Sequence, residues 1–234
     1  MNRRLDPETR RDQLLEAAGE LFLKNGYKDT SVNSIVESIG VSKGTFYYYF
    51  DSKEGVLDGL VEKLGEPIYE EIDEIVSRDS STAIEKLNDI FAASRRIKLD
   101  KIDEVLRITR LMYRPENLRL LDRIESATID VAAPKIARVV KQGVEEGVLD
   151  TRFPEEASRL IFSMGADLNE ETGKMLLGVE AEVDGDELAR KYNAYENAIE
   201  RILGAPDGSI VVLEEEDLNK FVSHLNRMKV EENQ

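Results

Sequence analysis

Lys43, Thr45, Tyr47, Tyr48 and Tyr49 put an ammonium, a hydroxyl and three phenols into the short stretch SKGTFYYYFDSKE, residues 42–54. The set reads as hydrogen-bonding and packing groups. Phe46 and Phe50 flank the phenols. If the stretch is helical, these two rings lie four residues apart on one face, and that face is core. Tyr47 and Tyr48 lie off it. They are open to two readings, half-buried amphipathic rings or groups turned toward a partner, and Tyr49 is divided between the same two.

Other chemistry is sparsely represented. The chain has no cysteine, which excludes disulfides, thiolate nucleophiles and Cys-based zinc or iron–sulfur sites and fits a reducing cytoplasm. His224, the single histidine, stands in the last predicted helix without partners and reads as a surface residue. The DGDE stretch at 184–187 lacks the length and ligands of a calcium loop and reads as an acidic inter-helix turn. No phosphate loop, zinc-protease helix or nucleophile elbow occurs. The expectation is therefore no catalytic residue, no metal and no cofactor. The start of the chain has no apolar segment resembling a signal peptide, and no stretch is apolar enough for a membrane span.

The elements that must position the tyrosines are helical, because Leu, Ile and Val recur at three- and four-residue spacing throughout. A first helix runs from about Thr9 to Lys24, stopped by Gly26. Thr30 or Ser31 caps a short second helix carrying Val32, Ile35, Val36 and Ile39. Gly40 ends it, and Ser42 caps a third helix lasting through Tyr49. Asp51 or Ser52 caps the fourth, in which Pro67 predicts a kink. Helix, short helix, glycine turn, short helix is the helix-turn-helix pattern, here about 31–50, whose second short helix enters the DNA major groove. Beyond it the spacing predicts helices over 82–99, 100–113, 115–147 (bent or broken at Pro134), about 154–178, about 186–203 and 214–227, with IVVL at 210–213 as a candidate extended segment.

The net charge of −16 runs against a nucleic-acid partner, but it is unevenly spread. Residues 1–50 carry seven basic and seven acidic residues, so the whole excess falls on the remainder. Four of the seven positives (Arg3, Arg4, Arg10 and Arg11) precede residue 12.

Residues 14–57, LLEAAGELFLKNGYKDTSVNSIVESIGVSKGTFYYYFDSKEGVL, closely resemble the DNA-binding domain of the TetR family of transcriptional regulators. The matching positions are Ala17, Ala18, Phe22, Gly26, Tyr27, Thr30–Val32, Ile35, Gly40–Ser42, Gly44, Thr45, Tyr47, Tyr48, Phe50 and Ser52–Glu54. The resemblance implies an all-α fold, with a helix-turn-helix head over about 8–68 and a helical ligand-binding and dimerisation domain over 69–234. It implies double-stranded operator DNA as partner, a small-molecule effector, and a homodimer formed through the eighth and ninth helices. It further implies contacts to phosphate from Ser31, Asn33 and Lys53, and contacts to phosphates and base edges from Tyr47 and Tyr48, with Tyr49 beside them. Lys43 and Thr45 open the recognition helix, where an ammonium meets guanine and a Thr methyl meets thymine. Ser42 is first a cap, and Gly44 lets the backbone approach DNA. Phe91, Arg107, Arg110, Met112 and Tyr113, on the middle helices, are the candidate effector contacts.

The expectation is a repressor, released from a pseudo-palindromic operator when an effector binds. Its rival is a helical sensor that does not bind DNA, and the intact Lys43, Thr45, Tyr47, Tyr48 and Lys53 set speaks against that rival.

Overall fold

The computed structural model describes residues 7–177 and 184–232. Among them there are helices and no strand: α1 Pro7–Asn25, α2 Val32–Ser38, α3 Lys43–Tyr49, α4 Lys53–Val76, α5 Ala83–Asp100, α6 Ile102–Met112, α7 Leu118–Glu145, α8 Pro154–Leu177, α9 Gly185–Leu203 and α10 Glu215–Glu232. The chain divides into two compact units. Among the described residues, those up to Glu66 and Leu111–Ala127 form the first; Pro67–Arg110 and those from Thr128 onward form the second.

The first unit is built on the apolar stripe of α1. Leu14, Leu15, Ala18 and Phe22 are all fully buried, as are Ile35, Phe46, Val56 and Leu57 from the next three helices. Gly26 stops α1 in the left-handed region at φ 84°, its N–H donating to the Phe22 carbonyl at 2.9 Å. A Cβ there would also lie 2.8 Å from that of Glu116, so glycine is required twice over. The Thr30 hydroxyl is buried and donates to the Leu21 and Gly26 carbonyls. That leaves Ser31 as the cap of α2, with Ser34 reciprocating to the Ser31 N–H. Ser52, not Asp51, caps α4, accepting from Gly55 N at 3.0 Å.

Residues 111–127, which the sequence reading assigned to the second domain, pack with the first unit. Asn117 is fully buried and donates to the Leu111 carbonyl, which delays α7 to Leu118. Arg119 lies 5.6 Å from the Tyr27 ring, and Arg123 pairs with Asp58 of α4. Sequence offers no local signal for these contacts, which join positions some ninety residues apart in the case of Gly26 and Glu116.

The second unit has a core from α4, α5, α7, α8 and α9 that includes Ile75, Leu87, Ile90, Val140, Ile161, Ile199 and Leu203. The helix of α7 continues through Pro134, which is exposed, and so is Asp130, whose carbonyl loses its donor. Lys86 is buried and donates to the last carbonyl of α4, at Val76, and to Gln142. A smaller cluster joins Leu106 of α6, Leu188 of α9 and Leu218 of α10. His224, expected on the surface, is mostly buried there. Its Nε2 lies 2.5 Å from Asp103, and its Nδ1 accepts from Arg227 at 2.7 Å. An arginine can only donate, so the ring proton sits on Nε2 and faces the carboxylate. Asp184 caps α9 through Asp186 N, so that of the expected turn at 184–187 only the acidic cap precedes the helix and 185–187 form its first turn. The expected extended segment at 210–213 joins no strand.

Candidate nucleic-acid interface

α3 separates the aromatic run as its geometry requires. A rotation of about 100° per residue places Phe46 and Phe50 together and turns Tyr47 and Tyr48 away. Phe46 is 0% exposed and Phe50 5%, with ring centroids 6.0 Å apart, whereas Tyr47 is 54% and Tyr48 77% exposed. The two buried phenylalanines contribute roughly 2–3 kcal/mol each through the apolar area they remove from water. The exposed tyrosines gain little of this. Tyr48 meets Tyr49 edge-on at 4.8 Å, and Tyr49 is half-buried.

Ser42 fixes the start of this helix. Its Oγ accepts from Thr45 N at 3.1 Å and shares a hydrogen bond with Thr45 Oγ1 at 3.0 Å. Lys43 and Gly44 are exposed in the first turn. Nothing inside the chain calls for glycine at 44: an added Cβ would meet only Ser42 Oγ, at an ordinary 3.6 Å. Ser31 and Asn33 are exposed at the start of α2, which packs against both α1 and α3.

Lys53 makes three contacts within the head. Its ammonium donates to the carbonyls of Tyr27 at 2.7 Å, Thr30 at 2.8 Å and Lys28 at 3.4 Å, and lies 4.3 Å from the Tyr27 ring centre. All three of its donors are used within the head, where it ties the α1–α2 turn to the start of α4. The Tyr27 phenol is pushed up to about 12, by burial first and then by the neighbouring Glu54 carboxylate. Arg11, one of the early positives, lies 5.5 Å from the Phe50 ring and 3.7 Å from Glu62. Arg3 and Arg4 lie outside the described residues.

The five candidate effector residues do not gather in one unit. Phe91 packs against the second unit's core, while Met112 (buried) and Tyr113 (half-buried) belong to the first. The side chains of Arg107 and Arg110 lie outside the described residues. A cleft of about 310 Å³ does occur in the second unit, between α8 and α9, with Met164, Leu168, Ala194 and Tyr195 along its apolar part and Asp167 at its edge. Helix periodicity has no means of showing a gap between two helices.

Comparison with known proteins agrees with this geometry. The family model described as "Bacterial regulatory proteins, tetR family" matches residues 14–60. The chain is 27% identical over 147 residues to the HTH-type transcriptional repressor KstR2 of Mycolicibacterium smegmatis, an alignment covering 63% of this chain and 69% of that protein. It is 38% identical over 114 residues to the fatty acid metabolism regulator protein of Bacillus subtilis, covering 48% and 57%. The fold is similar to that of SmeT, the repressor of the Stenotrophomonas maltophilia multidrug efflux pump SmeDEF. The TM-score is 0.61 at 20% identity, over 87% of this chain and 96% of that one. SmeT in complex with triclosan gives a TM-score of 0.60 at 22% identity, over 88% and 98%. Residues 14–60 thus match the DNA-binding head of the TetR family of bacterial regulatory proteins, and the fold is similar to that of a known repressor along most of the chain.

Proposed function

We propose that the protein is a ligand-responsive transcriptional repressor that binds a pseudo-palindromic operator as a homodimer and leaves it when a small molecule occupies the second unit. The observation that carries this is the two-sided α3. Phe46 and Phe50 anchor it while Tyr47 and Tyr48 stand exposed beside Lys43 and a glycine that the chain itself does not need. Tyr47, Tyr48 and Lys43 are the residues assigned to bases and adjacent phosphates, with Ser31, Asn33, Ser42 and Thr45 at the helix starts. Gly44 lets the backbone come close. Lys53 holds the α1–α2 turn to the start of α4, and Tyr49 packs edge-on against Tyr48.

The names of the relatives support repression, and the triclosan complex of SmeT supports a small-molecule effector. α4 and α7 each contribute residues to both units, so an effector-induced change in the second unit has two unbroken helices through which to reach the head. Pairing through α8 and α9 is supported by Leu160, 55% exposed on α8, and by Phe153, 65% exposed just before it. A neutral head on an acidic body makes stray association with DNA weak, so tight binding needs two heads on one site.

Selection from a random duplex pool with the full-length chain tests this reading. The expected product is an inverted repeat whose half-sites are about one helical turn apart or a multiple of it. Recovery of no consensus, or of single half-sites only, would contradict it.

A further inference from the structure

Between α9 and α10 the chain crosses from Gly204 to Glu214 with no helix or strand to satisfy its backbone. Four consecutive N–H groups in this strap are nevertheless all accepted by side chains. Ile210 N donates to Glu200 Oε1 at 3.1 Å, Val211 N to Asn88 Oδ1 at 3.0 Å, and both Val212 N and Leu213 N to Glu196 Oε1 at 2.6 and 3.1 Å. The carbonyls are read in the same manner. Asn88 Nδ2 donates to the Ser209 carbonyl at 2.8 Å, and Arg95 Nη1 to those of Val211 and Val212 at 3.0 and 2.9 Å.

Asn88 therefore grips one residue's N–H and a nearby carbonyl with its two amide ends, a geometry that recognises backbone whatever the side chains are. Side chains add selectivity. Ile210 is 2% exposed in the main core with Val212 packed beside it, and Leu213 packs into the smaller cluster around Leu218. Past the apolar run, Glu214 and Asp217 meet Arg95 at 2.9 and 3.3 Å. Arg95 itself is only 11% exposed, so these pairs are less screened than surface pairs.

We propose that α5 and α9 form a peptide-recognition groove, and that residues 209–217 are its resident ligand. The recognised chemistry is a non-helical segment of three or four apolar residues followed by acidic ones. Holding the strap clips α5 to α9 and docks α10; its release frees α10 as a unit. The groove takes its own chain because the turn through Gly204 and Gly208, both at positive φ, delivers the strap at high effective concentration.

The test is to cut the tether. The tip at Pro206–Gly208 is exposed and accepts an inserted protease site. After cleavage of the otherwise full-length protein, the 209–234 fragment should co-elute with the remainder on gel filtration. A labelled synthetic peptide spanning 208–218 should compete for its place, and Asn88→Ala should weaken retention about tenfold or more, because two hydrogen bonds are lost and their buried partners left unmade. Separation of the fragment, or retention unaffected by Asn88→Ala and by excess peptide, would overturn the proposal. Hydrogen exchange on the uncut chain gives an independent reading. The amides of 210–213 should be protected yet open before those of α5 and α9, whereas exchange only through global unfolding would make the strap ordinary core and overturn it.

Discussion

The Lys53 ammonium lies 4.3 Å from the centre of the Tyr27 ring and donates at 2.7 Å to the carbonyl of the same residue. With the Thr30 carbonyl also held, one side chain closes the α1–α2 turn over the start of α4. Lys53→Met should therefore destabilise the protein by about 2 kcal/mol, since charge-assisted hydrogen bonds and a cation–π contact are lost together. Denaturant unfolding checks this. An unchanged midpoint, with only a salt-dependent loss of DNA affinity, would return Lys53 to the phosphate backbone.

Gly44 separates folding from function in the opposite direction. Its added Cβ meets nothing closer than 3.6 Å, so Gly44→Ala should raise stability by about 0.5–1 kcal/mol through the lower conformational entropy of the unfolded chain. Operator affinity should fall, because the methyl group stands where the backbone nears DNA. Melting curves and fluorescence anisotropy on the same variant read both signs.

Phe46 and Tyr48 should divide the same way. Phe46→Ala removes a fully buried ring and should cost about 3–5 kcal/mol. Tyr48→Ala, at 77% exposure, should stay within about 0.5 kcal/mol of the parent in stability while weakening operator binding about tenfold. A large fall in melting temperature for Tyr48→Ala would make that ring structural.

Tyr27 gives the head an alkaline limit. Its phenol is held up near 12 against an ordinary value of 10, so the folded state keeps its proton where the unfolded chain has lost it. The contribution is fully present below pH 10 and declines between about 10 and 12, by an amount on the order of 1–3 kcal/mol. Urea midpoints measured at both ends of that window should fall more steeply for the parent than for Tyr27→Phe.

What could be read from the sequence was whatever lies within one turn or one helix of itself. Phe46 and Phe50 are four apart, Ser31 and Ser42 stand at the starts of apolar periods, and Gly26 and Gly40 follow their ends; in each case the local pattern and the final contact coincide. Lys53 shows where this stops. Its family position suggested phosphate, and its partners lie more than twenty residues back in a turn whose carbonyls no pattern marks as unsatisfied. Residues 111–127 escaped for the same reason, as did the strap: IVVL has the composition of a strand, but its hydrogen bonds go to Asn88, Arg95, Glu196 and Glu200 instead of to another strand. His224 was assigned to the surface because Asp103 is remote in sequence. Effector contacts are not legible locally, since a cavity is a property of several helices at once.

DNA reading is proposed for the exposed face of α3. It is tested most directly by a mobility-shift titration of the full-length protein on the DNA upstream of its own gene, against an unrelated duplex of equal length. The expected result is a shift selective for the upstream DNA that survives moderate salt and is lost in the Tyr47→Ala, Tyr48→Ala double variant, whose fold is intact by circular dichroism. Equal affinity for both duplexes, or a selective shift that the double variant retains, would contradict it.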